Sequence, residues 1–488
     1  MATFIPTASL VSGTTDGFVL TGIADLLIVT DGIVIGSTAQ FGSGVVTQEI
    51  FQTVEVAGHV AGYFGVTFAA VNGTLRVYAG GSVTGNTQAV SLEAAGGRII
   101  NAGTISSENA IYSESSLTVT NTGLVSASQY AVSALGALTL VNSGSIIGGS
   151  GAISGLGVSD VVNLGLIDGA VLLSDFGDRL VNRGVITLDV LMLAGDDLVD
   201  GAGGQFLAQV HLGAGNDDFQ GSSFGDTVLG GLDRDTMVGA GGNDLFLALD
   251  GDGSDEIDGG AGIDTYSFGN TFAAVNVNLI TGLARIAGAT DDLTGIERVV
   301  AGQGHDVLVG SGAADILLGA VGNDRIFGRA GDDRLFGGLG ADLVGGDEGN
   351  DRLTGAEGRD TLQGGDGNDV LTGGLDVDVL TGGGGADRFV FEDFEDFIAI
   401  SGGGLDRITD FIQGADVIDL SAMDAVQSSP SDQAFSFVGT GAITDFGQIN
   451  YRFSGAYTLV AISYNSASAF TVLRLDGNLA LTADDFIL

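Results

Sequence analysis

Ten aspartates stand nine residues apart without a slip: Asp306, Asp315, Asp324, Asp333, Asp342, Asp351, Asp360, Asp369, Asp378 and Asp387. Two residues after each comes an apolar side chain, from Leu308 and Leu317 through Ile326, Leu335 and Val344 to Phe389, and glycines fill most of the space before it. The unit reads Gly-Gly-x-Gly-x-Asp-x-U-x, with U a large apolar residue. A Gly/Asp-rich linker would have no reason to keep this phase.

Nine residues suit a short strand x-U-x followed by a six-residue turn, so two units return the chain to its starting side. Strand geometry sends alternate side chains to opposite faces, and U is the reliably apolar one, so the U residues are expected to stack into a thin core. The turns then stack along each edge. Glycine suits them because tight turns use positive φ and because a bare backbone can aim carbonyls at an ion. Aspartate adds an anionic oxygen, and calcium takes six to eight oxygen ligands. Stacked rungs put like carboxylates about 4.8 Å apart, where repulsion is roughly 1 kcal/mol per pair in water and about 3 to 4 at an effective dielectric of 20. The expectation is a segment that stays unfolded without metal and folds when calcium bridges the rungs.

A more worn copy occupies roughly 213–267, with Asp217, Asp226, Asp235, Asp244, Asp255 and Asp264 followed by Phe219, Val228, Met237, Phe246, Ile257 and Tyr266. One step, Asp244 to Asp255, is eleven residues rather than nine, and a lone forerunner, Asp197 with Val199, precedes the block. All sixteen of these aspartates are candidate calcium ligands. At Phe224, Asp233, Ala313 and Asp376 the fourth position departs from glycine, which changes the expected turn.

Charge follows the repeats. The net charge of −45 divides into −9 over residues 1–190, −29 over 191–400 and −7 over 401–488. All sixteen basic residues are arginine. This balance argues against nucleic acid or an anionic membrane as a partner and for divalent cations. There is no cysteine, hence no disulfide framework. The 85 glycines speak against helices. The first basic residue is Arg76, so an N-terminal secretory signal is not expected, and no apolar run is long enough for a membrane-spanning helix.

Residues 1–190 carry a looser repeat, Asn-x-Gly-x-(Ile/Val/Leu), at Asn101, Asn121, Asn142, Asn163 and Asn182, in steps of 20, 21, 21 and 19. Asn and Gly tolerate left-handed backbone, so each pair fits a corner between strands, and the asparagines are expected to stack as a hydrogen-bonded ladder. Ile111, Val132 and Ile153 keep the same period as a second apolar track. Fainter rungs lie near Gly58 and Gly81, with opening coils or a cap over 1–50. Between the aspartate blocks, Val275-Asn276-Val277-Asn278-Leu279 and Asp292 to Val299 alternate as strands expected to continue the stack.

These motifs resemble those of the RTX (repeats-in-toxin) family. Residues 382–488, with Leu405-Asp406-Arg407-Ile408 and Gly414-Ala415-Asp416-Val417-Ile418, are similar to the C-terminal domain of its serralysin-type members, and 1–190 resembles the β-solenoids of secreted adhesins. The resemblance implies an all-β chain: an N-terminal parallel β-helix (β-solenoid) over 1–190, a first calcium-binding β-roll over 191–267, an intervening β segment over 268–300, a second roll over 301–390, and a β-sandwich-like secretion domain over 391–488. It further implies multiple Ca2+ ions, secretion to the exterior or cell surface by type I machinery through an ending such as Asp485-Phe486-Ile487-Leu488, and an adhesin-like solenoid meeting polysaccharide or a cell surface.

Catalysis is not expected. His59, His211 and His305 are scattered and lack the His-Glu-x-x-His spacing of the family's zinc proteases. The alternative, a polysaccharide lyase or epimerase on the β-helix, would need a base or acid beside a cation, for which Arg76, Arg98, Arg179 and Arg183 with Tyr112, Tyr130 and Asp160 are the candidates.

Overall fold

A computed structural model describes residues 3–6, 8–12, 18–20, 26–37, 42–48, 52–69, 72–94, 96–397, 404–423, 434–445, 447–466 and 469–488. The chain is all-β, and its helical content among the described residues is two short 3₁₀ turns. None of the described helices is long and apolar enough to cross a membrane. Contacts divide it into two units, Met1–Phe246 with Asp252–Gly262, and Leu247–Gly251 with Ile263–Leu488.

In the first unit each coil of about twenty residues supplies three strands. One face stacks Gly97–Asn101, Leu117–Asn121, Leu138–Asn142, Ser159–Asn163 and Arg179–Asn182 in parallel register. A second stacks Thr104–Ser107 onto Leu124–Ala127, Ser145–Gly148 and Leu166–Asp168. A third stacks Asn109–Ser113 onto Tyr130–Ala134 and Gly151–Gly155. Alternation fills the interior from all three: Ile99, Val119 and Leu140 from the first face, Ile105, Val125 and Ile146 from the second, and Ile111, Val132 and Ile153 from the third are all fully buried. The faint rungs are real coils too, since His59–Phe68 pairs along its length with Ser82–Leu92.

The asparagine ladder forms as the spacing predicts. Nδ2 of Asn101 donates to Oδ1 of Asn121 at 2.7 Å, Asn121 to Asn142 at 2.8 Å, Asn142 to Asn163 and Asn163 to Asn182 at 2.9 Å each. Asn101, Asn121, Asn163 and Asn182 also close their own corners, as where Oδ1 of Asn101 accepts the N–H of Gly103 at 3.1 Å. All five side chains are fully buried, so a missing partner leaves neighbours unsatisfied at about 1 to 3 kcal/mol per group. Asn142→Ala breaks bonds on both sides and to Leu166 O at 3.0 Å. We expect it to lower the thermal midpoint of the solenoid by several degrees while an exposed Ser143→Ala leaves it within a degree or two, read by circular dichroism in calcium.

The second face ends at Gln205–Phe206, and from there the unit winds on two faces. The step between stacked strands shortens from twenty residues, Leu198↔Asp218, to eighteen, Asp218↔Thr236.

The second unit is a two-faced roll from the outset. One face stacks Val307–Val309, Arg325–Ala330, Leu343–Glu348, Thr361–Asp366 and Val379–Gly384. The opposite face stacks Arg298–Val300, Ile316–Val321, Arg334–Leu339, Arg352–Glu357, Val370–Leu375 and Arg388–Val390. Every U residue from Leu308 to Phe389 is fully buried, at roughly 1.5 to 3 kcal/mol each for a side chain of this size.

The segment 275–300 departs from the expected simple continuation. Val275–Asn278 does join the stack, parallel to Val307–Val309, but Leu283–Ile286 and Ala289–Thr294 fold back as an antiparallel meander. Gly282 and Gly288, at φ of 65° and 101°, provide the reversals that alternation alone does not reveal. Beyond the repeats the stacks continue with Arg407–Ile408 on one face and Val417–Asp419 on the other. An antiparallel sheet of Gln448–Ser454, Tyr457–Ser466 and Ala469–Asp476 follows.

Candidate metal sites along the turns

Each ladder aspartate sits at the end of a turn and enters the strand with its carboxylate tucked inward. All sixteen predicted ligands are buried, none more than 3% exposed. One oxygen has a fixed job. Oδ1 accepts the backbone N–H of the aspartate one coil earlier, at 2.8 Å for Asp306 to Asp324, Asp315 to Asp333, Asp324 to Asp342 and Asp333 to Asp351, and at 2.9 and 3.0 Å for Asp360 to Asp378 and Asp369 to Asp387. The same bond links Asp217 to Asp235, Asp226 to Asp244 and Asp235 to Asp255. The carboxylates are thus interleaved with backbone donors, which offsets part of the repulsion that bare stacking would impose.

The other oxygen has no donor. Oδ2 is buried and unpartnered at Asp217, Asp235, Asp306, Asp324, Asp333, Asp342, Asp351, Asp360, Asp369, Asp378 and Asp387. At Asp235 and from Asp324 through Asp387 it lies beside the first glycine of its own turn, where a side chain would stand. A Cβ on Gly319 would fall 2.5 Å from Oδ2 of Asp324 and 2.6 Å from the carbonyl oxygen of Gly337, and one on Gly337 would fall 2.5 Å from Oδ2 of Asp342 and 2.8 Å from that of Gly355. An anionic oxygen and a carbonyl of the next coil therefore face one small space that only glycine leaves open. No three carboxylate or imidazole groups converge among the described residues, so backbone carbonyls must complete a six- to eight-oxygen shell. This donor set fits calcium.

Burying an anion without a counter-charge raises its pKa. Burial, with neighbouring ladder carboxylates adding to it, pushes Asp324, Asp333, Asp360 and Asp369 up to about 7 and Asp235 and Asp378 up to about 8.

Not every ladder aspartate is open. At Asp226 and Asp315 Oδ2 accepts the N–H of Ser222 at 2.7 Å and of Ser311 at 2.5 Å, the residue four positions earlier; at Asp226 the partnerless oxygen is Oδ1. Asp178 and Asp416 are closed the same way by Ser174 and Ile412. The backbone at that fourth position decides the outcome. At the open turns of Asp324, Asp333, Asp351 and Asp360 it is left-handed, at Ala320, Arg329, Asp347 and Ala356 with φ of 69°, 82°, 71° and 84°. A left-handed alanine costs about 1 to 2 kcal/mol; glycine removes that strain, although its more flexible unfolded chain offsets part of the gain. Ala356→Gly is expected to stabilise the calcium-loaded roll by about 0.5 to 1 kcal/mol in denaturant titrations.

The structure extends the ladder past the predicted residues. Asp178 N–H donates to Asp197 Oδ1 at 2.6 Å and Asp197 N–H to Asp217 at 2.7 Å. At the far end Asp378 donates to Asp406 at 2.9 Å and Asp387 to Asp416 at 3.0 Å. Glu297 accepts the N–H of Asp264 in the same manner. All five were readable as acid-x-apolar triplets, in Asp178-Arg179-Leu180, Asp197-Leu198-Val199, Glu297-Arg298-Val299, Asp406-Arg407-Ile408 and Asp416-Val417-Ile418. Asp197 shows in the sequence as a lone forerunner, while the irregular spacing of the other four hides them.

The departures from glycine are accommodated differently. Asp233 and Asp376 keep positive φ, 75° and 80°. Phe224 is half exposed, with its N–H on Ser222 Oγ at 3.0 Å. His305 lies on the turn surface, where Nδ1 accepts the N–H of Asn323 at 2.7 Å.

Of the residues weighed for a lyase or epimerase, Arg179 and Asp160 meet, as an exposed ion pair, while Arg183 and Arg76 are paired with other acids. Arg179 pairs with Asp160 on the first face of the solenoid at 2.7 Å, Arg183 with Asp200 at 2.5 Å and Arg76 with Glu55 at 3.7 Å. Tyr112 and Tyr130 lie on strands of the third face.

Comparison with known families places the calcium repeats. The family model of the RTX calcium-binding nonapeptide repeat (4 copies) matches residues 211–246, 249–266 and, in overlapping segments, 293–398. None of the curated proteins compared with the chain matches it. Among solved structures, the AlgE6R3 and AlgE6R2 subunits of the Azotobacter vinelandii mannuronan C5-epimerase are similar at 28% and 32% identity. Those matches span 35% and 32% of this chain and 82% and 87% of theirs, with TM-scores of 0.20 each. The extracellular lipase LipA from Serratia marcescens is similar at 16% identity over 60% of this chain and 45% of its own, with a TM-score of 0.19. Over the residues matched, the chain carries the RTX nonapeptide repeats of a calcium-binding β-roll, which bind multiple calcium ions.

Proposed function

We propose that this is a secreted calcium-binding protein whose rolls fold on meeting extracellular calcium, with the solenoid acting as an adhesin-like module toward a surface or matrix. The carrying observation is the row of buried, partnerless Oδ2 oxygens beside glycine cradles, a packing that is costly without a cation and favourable with one. The ligands are the aspartates of the open turns, Asp324, Asp333, Asp342, Asp351, Asp360 and Asp369 foremost, with carbonyls of successive turns. Inside a cell, at low free calcium, the acidic segment stays open and can thread an export channel; outside, sites of about 10⁻⁴ to 10⁻³ M fill and the roll closes. The likeness of 382–488 to serralysin-type endings supports type I export, and fusing 391–488 to a passenger tests it: a passenger retained in cells that carry the exporter would count against this part.

Calcium titration of the full chain, followed by circular dichroism, tests the folding. Ordered β signal should rise cooperatively with calcium and fall on chelation, leaving the solenoid's share. Asp333→Asn should weaken the transition several-fold, and Asp315→Asn, whose second oxygen is already satisfied, should weaken it less. Identical spectra with calcium and with excess chelator would refute the reading.

A further inference from the structure

The pairing register lines up one row of outward residues across the second roll: Arg298, Ile316, Arg334, Arg352, Val370 and Arg388, each directly beside the next. Four of the chain's sixteen basic residues stand in this single row. The parallel row two residues further along each strand, which includes Phe336 and Thr354, is uncharged; Glu357, at the far end of its strand, is the one acid on these strands, and neither row holds an acid between Arg298 and Val390. That is unusual in a chain of 61 acidic residues. The acids sit instead in the turns.

Arg334 and Arg352 are exposed, on adjacent strands about 4.8 Å apart. Neither has an ion-pair partner among the described residues. Arg388 is held by Asp419, which fixes the end of the row. On the opposite face over the same rungs stand Arg325 and Arg329, the latter paired with Asp347, before Arg407, which pairs with Asp476. Arginine forks match carboxylates in bidentate fashion, and the half-buried Phe336 beside them offers a flat apolar surface of the sort a sugar ring can cover.

We propose that this face binds a linear anionic polysaccharide carrying a carboxylate on each sugar, its chain running along the stack with successive carboxylates on Arg334 and Arg352. The acid-rich turns on either side repel a broad polyanion such as a nucleic acid and leave a strip one chain wide. The inference rests on the calcium-folded roll proposed above, because only the folded register assembles the row. Binding is therefore calcium-dependent through folding.

The test uses the full chain in saturating calcium with a galacturonate hexamer, read by calorimetry, beside circular dichroism of the same samples. The hexamer should bind the wild type and Arg325→Gln alike, and Arg334→Gln/Arg352→Gln about tenfold or more weakly. Arg334→Lys/Arg352→Lys should fall between, since charge remains while the fork is lost. A neutral glucan hexamer should not bind. Undiminished binding to the glutamine variant would mean calcium bridging between two acidic chains and would overturn the proposal, as would equal binding of an oligonucleotide. Calcium-induced order without uronate binding overturns the arginine row alone, whereas absence of that order overturns the folding reading and the row together.

Discussion

Gly337→Ala is expected to abolish the calcium-induced transition of the second roll near its site or shift it to at least tenfold higher calcium. The added Cβ would stand 2.5 Å from Oδ2 of Asp342 and 2.8 Å from the carbonyl oxygen of Gly355, in the space a cation must occupy. Overpacking alone costs about 1 to 3 kcal/mol, and the backbone there has no freedom to retreat because adjoining coils hold it through Asp324 to Asp342 and Asp342 to Asp360 at 2.8 Å each. Gly312 is the control, for nothing lies within 4 Å of a Cβ at that position. Calorimetric calcium titration of the two variants separates loss of a site from general damage. Equal calcium binding by Gly337→Ala and wild type would show that the cradle is not where the metal sits.

The second large effect is on pH. The ladder carboxylates have folded-state pKa values raised by burial to about 7 at Asp324, Asp333, Asp360 and Asp369 and about 8 at Asp378, against 3.8 for the ordinary side chain. Between those limits the metal-free folded roll binds more protons than the unfolded chain. Linkage then makes stability fall as pH rises. The contribution is fully present below about pH 4 and lost by about pH 8. Protons and calcium are thus alternative ways to neutralise the same buried oxygens. In chelator, ordered β signal should grow as pH is lowered from 8 to 5, while the increment produced by calcium should be largest near pH 8 and shrink toward pH 5. Circular dichroism across that range, with and without calcium, checks both arms. Metal-free order that increased with pH would contradict the burial of these groups.

Much of this molecule is legible in one dimension because each repeat is its own neighbour. A step of 18 residues returns every position to itself, so the phase of Leu308 through Phe389 fixes a stacked core, and the asparagines from Asn101 to Asn182 fix corners that bond to their own kind. What hid from the sequence is whatever breaks that self-similarity. The meander of Leu283–Ile286 and Ala289–Thr294 depends on two glycine reversals among many glycines. Asp406 and Asp416 belong to the ladder at spacings of 28 and 29 residues, which strict periodicity passes over.

The sequence by itself determined the rung, the core and the choice of calcium, because apolar phase, glycine and aspartate leave little else for such a chain to become. Tertiary structure decided which carboxylates remain open. Ser222, Ser311 and Ile412 give their N–H to the aspartate of their own turn, whereas Ala320, Arg329, Asp347 and Ala356 are held left-handed by the coils above and below. Serine stands at three of the four closed turns, at Ser174, Ser222 and Ser311, while the open ones hold arginine, aspartate and alanine in a conformation they disfavour in isolation. Stacking also places Arg334 beside Arg352 on one face and keeps the acids in the turns, a surface that arises only when strands 18 residues apart lie side by side.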